Sequence, residues 1–202
     1  MIGGVGRREE KKAQTRTRLL DAAATVFARR GLMAASLDEV ADEAGLTKGA
    51  VYSNFAGKEE LIEALLHERI DKPLGAIAER VDADAPIAEQ AVQAESLFRA
   101  VWNRERDLFL LGLEFAIYRA RNPDRHRWTS GDRDLQEAMA VLMERQAAER
   151  GTTLPMPADE LAAGLFALGT GLDLMALNEP ERVPEGLFAK FLTLIMGAAE
   201  PA

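Results

Sequence analysis

Residues 36–61 read SLDEVADEAGLTKGAVYSNFAGKEEL, and their punctuation spells two short helices around a tight turn with a third, longer helix behind them. Leu37, Val40, Ala41 and Ala44 recur at i, i+3, i+4 and i+7, so the first helix has one apolar face, and Ser36 stands where an N-cap oxygen is needed. Gly45 supplies the stop. Thr47 can cap the second helix, Val51 and Phe55 give it a buried face, and Lys48, Gly49, Ala50, Ser53 and Asn54 remain on the other. This is the layout of a helix-turn-helix.

The second helix has what reading a base edge requires. Small residues, Gly49 and Ala50, let the backbone approach a groove floor, and donors must then reach bases or phosphates. Lys48 can donate to guanine or to phosphate, the Ala50 methyl can meet a thymine methyl, and Tyr52 can offer its hydroxyl to the backbone. Lys58 opens the next helix, where exposed amides favour an anion.

The run Leu46-Thr47-Lys48-Gly49-Ala50-Val51-Tyr52-Ser53-Asn54-Phe55, followed by Lys58-Glu59-Glu60-Leu61, resembles the recognition helix and connecting-helix entry of the TetR family of bacterial one-component regulators. Thr17-Arg18-Leu19-Leu20-Asp21-Ala22-Ala23 through Phe27 and Gly31 is similar to that family's first helix. These motifs cover roughly residues 13 to 66. More loosely, Glu114-Phe115-Ala116 through Arg121-Asn122-Pro123, and Gly171-Leu172 through Asn178-Glu179-Pro180, look like patterns of one large subgroup. The resemblance implies a DNA-contacting set of Arg16, Ser36, Thr47, Lys48, Gly49, Ala50, Tyr52, Ser53, Asn54 and Lys58, and a homodimer on an inverted repeat.

Composition sets limits of its own. The chain has 202 residues, 48% of them hydrophobic, which is ample for a packed core, and no cysteine, so disulfides and thiolate metal sites are absent and a reducing, cytoplasmic setting is expected. The N-terminal Met-Ile-Gly-Gly-Val-Gly-Arg-Arg lacks the apolar core of a secretory signal. Net charge is −8, but residues 1–58 hold 10 Lys+Arg against 7 Asp+Glu, a surplus of +3, and residues 59–202 hold the other 15 against 26, a deficit of −11. The basic end is the reader. Arg7, Arg8, Lys11, Lys12, Arg16 and Arg18 read either as a solvated charge run or as an arm that tracks phosphates.

Beyond the reader the pattern is helical to the end. A long helix from Lys58 carries Leu61, Ile62, Leu65 and Leu66 and is expected to kink or end near Asp71, ahead of Pro73. Residues 81–86 read as a linker. Further helices are expected around residues 97–102, 108–118, 132–150, 159–177 and 185–199. No alternation is long enough to suggest a sheet. The expected fold is all-α: a flexible basic arm over 1–12, a three-helix, homeodomain-like helix-turn-helix domain over 13–57, and a helical effector-binding and dimerisation domain over 58–202, about nine helices in total.

Two apolar stripes mark the last helices: Leu161, Leu165, Leu168, Leu172 and Met175 on one, Leu187, Phe191, Leu194 and Ile195 on the other. They suit either monomer core or the four-helix dimer bundle that the resemblance implies. The stock for an apolar effector chamber is Phe98, Trp102, Phe109, Phe115, Tyr118, Met139, Met143 and Phe166. Glu114 and Asp173 are carboxylates within apolar stretches, where burial without a partner is costly. Each is a polar anchor for a ligand or a helix-interface contact. No span suited to a bilayer is expected: Asp173 interrupts Leu161–Leu177, and Leu187–Ala199 is shorter than the ~20 residues required.

Catalysis finds little support. His67, with Glu63 at i−4, and His126, with Asp124 at i−2, lack a recognised metal-ligand spacing, and no phosphate loop, serine elbow or dinucleotide fingerprint occurs. Neither catalytic residues, metal nor cofactor are expected. The sequence leaves two functional classes: a ligand-responsive repressor released from its operator by a small hydrophobic or amphiphilic effector, and a scaffolding DNA binder of the same fold without an effector.

Overall fold

The computed structural model describes residues 3–77, 80–82, 84–122, 131–197 and 200–201. His126 and Pro123 lie outside them. The helices are α1 (Gly3–Ala34), α2 (Leu37–Ala44), α3 (Lys48–Tyr52), α4 (Lys58–Leu66), α5 (Lys72–Gly75), α6 (Ile87–Arg104), α7 (Arg106–Arg121), α8 (Gly131–Arg150), α9 (Ala158–Asn178) and α10 (Leu187–Met196). The chain runs from α4 through a π turn, His67–Asp71, into α5, and counting this run once the described residues hold nine helices. The architecture is all-α.

Three local features differ from expectation. Residues 3–12 are the first turns of α1 rather than a loose arm, as the Arg, Glu and Lys of residues 7–12, all good helix formers, permit. Pro73 neither ends nor breaks the helix after Lys58; it sits in the first turn of α5, where a missing N–H costs least. The wide turn falls on the residues just ahead of it, where a regular ladder would need that N–H. Finally, Thr152–Thr153 pairs antiparallel with Glu200–Pro201. A two-residue ladder is too short to leave any alternation in the sequence.

The chain forms two compact units. The first takes the described residues of Met1–Ile70 and Glu105–Thr129, so it contains α7 as well as the helix-turn-helix. Here α1 packs on α2, α4 and α7. Leu19, Ala23, Val26 and Phe27 of α1 meet Val40, Ala41, Val51, Phe55, Leu61, Ile62 and Leu65 in a fully buried core, to which α7 adds Leu108, Leu111 and Phe115. Each large side chain so buried contributes about 1.5–3 kcal/mol.

The second unit takes the described residues of Asp71–Arg104 and Ser130–Ala202. In it α6 packs on α10, and α8 on α9. Met143, Leu161 and Leu165 form its central cluster, covered by Met139, Leu154, Phe188, Leu192, Ile195 and Met196. A buried carboxylate organises the other side. Glu95 of α6 accepts from the amides of Gly186 at 3.1 Å and Ala189 at 2.9 Å, and pairs with Arg99 at 3.3 Å. It caps α10, whose first amides have no helical partner.

Candidate nucleic-acid interface

The reading head is pinned by caps at each corner. Ser36 Oγ accepts from the Glu39 amide at 3.2 Å while the Ser36 amide donates to Glu39 Oε2 at 2.9 Å, a reciprocal capping box. Arg30 holds Glu39 from the other side at 2.7 Å, and this bond above all, with the Ser36 amide next, keeps the Glu39 carboxyl below its usual range. At the far end Gly45 adopts φ 62°, and the amides of Gly45 and Leu46 close on the carbonyls of Asp42 and Ala41. A left-handed residue is required there, which is why glycine stops the helix. Thr47 Oγ1 then accepts from the Ala50 amide at 3.2 Å and starts α3.

On α3, Val51 and the following Phe55 are buried while Lys48, Gly49, Tyr52 and Ser53 are exposed and Ala50 is half-buried. Tyr52 is 59% exposed, large for an aromatic ring on a single chain. At Gly49 an added Cβ would meet only Thr47 Oγ1, at 3.8 Å, so the outer side of the helix is open. Ser53 and Asn54 both donate to the Ala50 carbonyl, at 3.0 and 2.8 Å, which ties the end of α3 to its own backbone. Asn54 Oδ1 is buried with no partner among the described residues.

Several of the expected cations have partners within the protein. Arg16 stacks over the Phe55 ring, 4.4 Å from its centroid, and donates to the Asn54 carbonyl at 3.3 Å. Arg18 donates to the Ala44 carbonyl at 2.7 Å, at the end of α2. Lys58 donates to the Ala35 carbonyl at 2.7 Å and lies 3.5 Å from that of Met33; burial pulls its ammonium below the usual lysine range. Lys48 is bonded to Asp38 of α2, and that bond raises its pKa. Asp38 was not singled out from the sequence, and Arg18 was read only as part of a charge run. Their partners lie ten and 26 residues away, on other helices, beyond what local spacing shows.

The profile described as "Bacterial regulatory proteins, tetR family" matches residues 19–65, the span of these caps and of α3. Over those residues the chain is similar to the TetR family. It is 32% identical over 99 residues to the HTH-type transcriptional repressor KstR2 of Mycolicibacterium smegmatis, 48% of each chain. It spans about half or less of the length of the curated relatives it matches. Among solved structures, a transcriptional regulator from Rhodococcus sp. Rha1 superposes with a TM-score of 0.65 at 27% identity, covering 90% of this chain and 94% of that one. The SmeT–triclosan complex superposes at 0.62 and 22% identity, covering 93% and 92%. The relatives named here are regulators of transcription rather than enzymes.

The ten chamber candidates fall in both units. Phe109, Glu114, Phe115 and Tyr118 belong to the first. There Phe115 is core, with the Arg119 guanidinium 5.1 Å from its ring centroid, and the Tyr118 hydroxyl donates to Glu59 Oε1 at 3.1 Å. Of the two sequence readings of Glu114, the structure shows a helix-interface contact: it is exposed, and its Oε2 accepts from the Leu32 amide at 2.9 Å, just past Gly31, where α1 turns through φ 73°. Burial gives no reason to assign it a ligand. Phe98, Trp102, Met139, Met143, Phe166 and Asp173 belong to the second unit. All but buried Met143 are half-buried. Burial pushes the Asp173 carboxyl up to about 7, against the pull of the Arg99 charge. A separate open groove of about 560 Å³, between the end of α8 and the start of α9, is lined by none of the ten.

The dimer stripes also divide. Leu161 and Leu165 face the unit's own cluster, each 2% exposed, and Ile195 packs against it; these three are core, because α8 lies on that side of α9. Met175, Phe191 and Leu194 are exposed, as is Leu174, which the stripe reading missed. Leu168, Leu172 and Leu187 are half-buried. By length and composition alone α9 could cross a membrane: its mean hydropathy reaches 1.4 with 22% of that stretch buried. Its apolar outer side lacks cover within one protomer.

Proposed function

We propose that the protein is a ligand-responsive repressor of transcription that binds an inverted-repeat operator as a homodimer and is released by a small, largely hydrophobic effector. The observation that carries this is α3: a helix fixed at both ends by side-chain and backbone bonds, presenting Lys48, Gly49, Ala50, Tyr52 and Ser53 outward. One such helix reads only a few base pairs, so two copies across a two-fold axis are needed for a unique site. The exposed Leu174, Met175, Phe191 and Leu194 supply an apolar surface for that pairing. The half-buried Phe98, Trp102, Met139 and Phe166 of the second unit suit an apolar effector, and a neighbour that superposes on this chain holds triclosan.

Effector binding then shifts the helix that begins at Lys58 and alters the spacing of the two α3 copies. Coupling of this kind is reciprocal, so operator DNA weakens effector binding by the same factor. Such a regulator works in the cytoplasm, where its DNA is. Footprinting on genomic fragments recovered with the protein tests the reading: protection of a few promoter-borne inverted repeats is expected, relieved by a hydrophobic effector. Recovery of no preferred sequence would overturn it.

A further inference from the structure

Asp38 and Lys48 form an ion pair between α2 and the first residue of α3, with side chains 50% and 64% exposed. Such a pair on a DNA-facing surface is costly at first sight, because a carboxylate is repelled by phosphates and halves the usefulness of the lysine for holding them. Its geometry gives it another use. The bond to Asp38 uses one ammonium N–H of Lys48 and one carboxylate oxygen of Asp38, which leaves two donors and one oxygen on adjoining, exposed side chains. Gly49 beside them offers no side chain to hold a base away.

Across the major groove a G·C pair presents guanine N7 and O6, two acceptors, and then the cytosine N4 amino group, a donor. Two donors followed by an acceptor match that order. An A·T pair presents acceptor, donor, acceptor, so the lysine would face the adenine amino group and the carboxylate the thymine O4, both repulsive. The geometry points to the Asp38–Lys48 pair as a single reading unit for one G·C base pair in each half-site, with Lys48 on the guanine and Asp38 on the cytosine. Asp38 discriminates by repulsion as much as by attraction, since guanine or thymine at that position sets an acceptor against its carboxylate, and adenine, which offers its N6 amino group, puts a thymine with a single acceptor and a methyl group under the lysine. The bond to Asp38 raises the Lys48 pKa, in keeping with an ammonium that stays charged.

This inference rests on the DNA-reading role proposed above, and selection from a random duplex library separates the two. The wild-type chain is expected to enrich a site in which one G·C pair per half-site is invariant. Asp38→Ala and Lys48→Ala are both expected to lose preference at that same pair by about 10-fold or more, with preference elsewhere retained. Asp38→Ala should also bind unrelated duplex more tightly. Both side chains are exposed, so melting curves matching wild type establish intact folding. A Asp38→Ala protein that keeps the wild-type preference at every position overturns the pair as a reader. So does an even rise in affinity for all sequences, which marks Asp38 as a mere brake on phosphate binding. A wild-type chain that enriches no sequence removes the DNA-reading role itself.

Discussion

Lys58 sits where a connecting helix begins, and the sequence offers it to a phosphate. Its ammonium instead closes the carbonyl end of α1, on Ala35. A cation at a helix C-terminus satisfies carbonyls that no amide reaches and opposes the helix dipole. Lys58→Ala is therefore expected to lower stability of the free protein by about 1–2 kcal/mol, read from urea unfolding without DNA; a residue engaged only with phosphate would leave that midpoint unchanged. The residues legible in the sequence were those whose role is local: Ser36, Gly45 and Thr47 cap as their neighbours within five positions require. For Glu114 the sequence left two readings open, because its partner, the Leu32 amide, lies 82 residues away. Nothing in an apolar helical run reveals that one of its carboxylates reaches back to another helix.

Among the elements, α6 and α10 depend on one carboxylate. Replacing Glu95 with Ala leaves the Gly186 and Ala189 amides unpaired in a buried place, together with the Arg99 charge, and is expected to cost about 2 kcal/mol or more. Thermal unfolding of Glu95→Ala against Glu95→Gln, which keeps one acceptor, measures it. On α9, Asp173 makes stability depend on pH. Its carboxyl rises from the ordinary 3.8 to about 7 in the folded chain, so between those values the native state holds a proton that the unfolded chain has released. Stability from this group is greatest below pH 4, declines as pH rises to 7, and is flat above. Denaturant midpoints from pH 5 to 8 should fall for wild type and flatten for Asp173→Asn. Helix periodicity placed these elements well. It missed the π turn and the short Thr152–Thr153 ladder, because both answer to contacts rather than to a repeating pattern.

For the whole molecule, the outer side of α9 and α10 is the surface proposed above for pairing. Leu194 is 70% exposed and Phe191 40%, and burying them against a second copy removes apolar surface that water otherwise wets. A Phe191→Glu, Leu194→Glu double variant is expected to sediment as a monomer and to lose tight binding to an inverted repeat, while its far-ultraviolet circular dichroism stays helical. Persistence of the dimer would place the interface elsewhere. The stripes alone could not divide core from interface, since Leu161 and Leu194 are equally apolar in sequence. Only the position of α8 separates them.

The cations of the reading head carry a consequence for ionic strength. Of the ten Lys and Arg in residues 1–58, Arg16, Arg18, Arg29, Arg30, Lys48 and Lys58 hold acceptors within the protein. Each phosphate neutralised releases bound counterions and steepens the fall of log affinity against log salt by about 0.9. Ten contacts per protomer would give a two-fold dimer a slope of about −18, and four per protomer a slope of about −7. We expect a titration from 50 to 300 mM KCl, roughly the range where such slopes are linear, to lie near the shallower value. The protein should then hold its operator through swings of cytoplasmic salt that would dislodge a reader of equal charge with its cations unengaged.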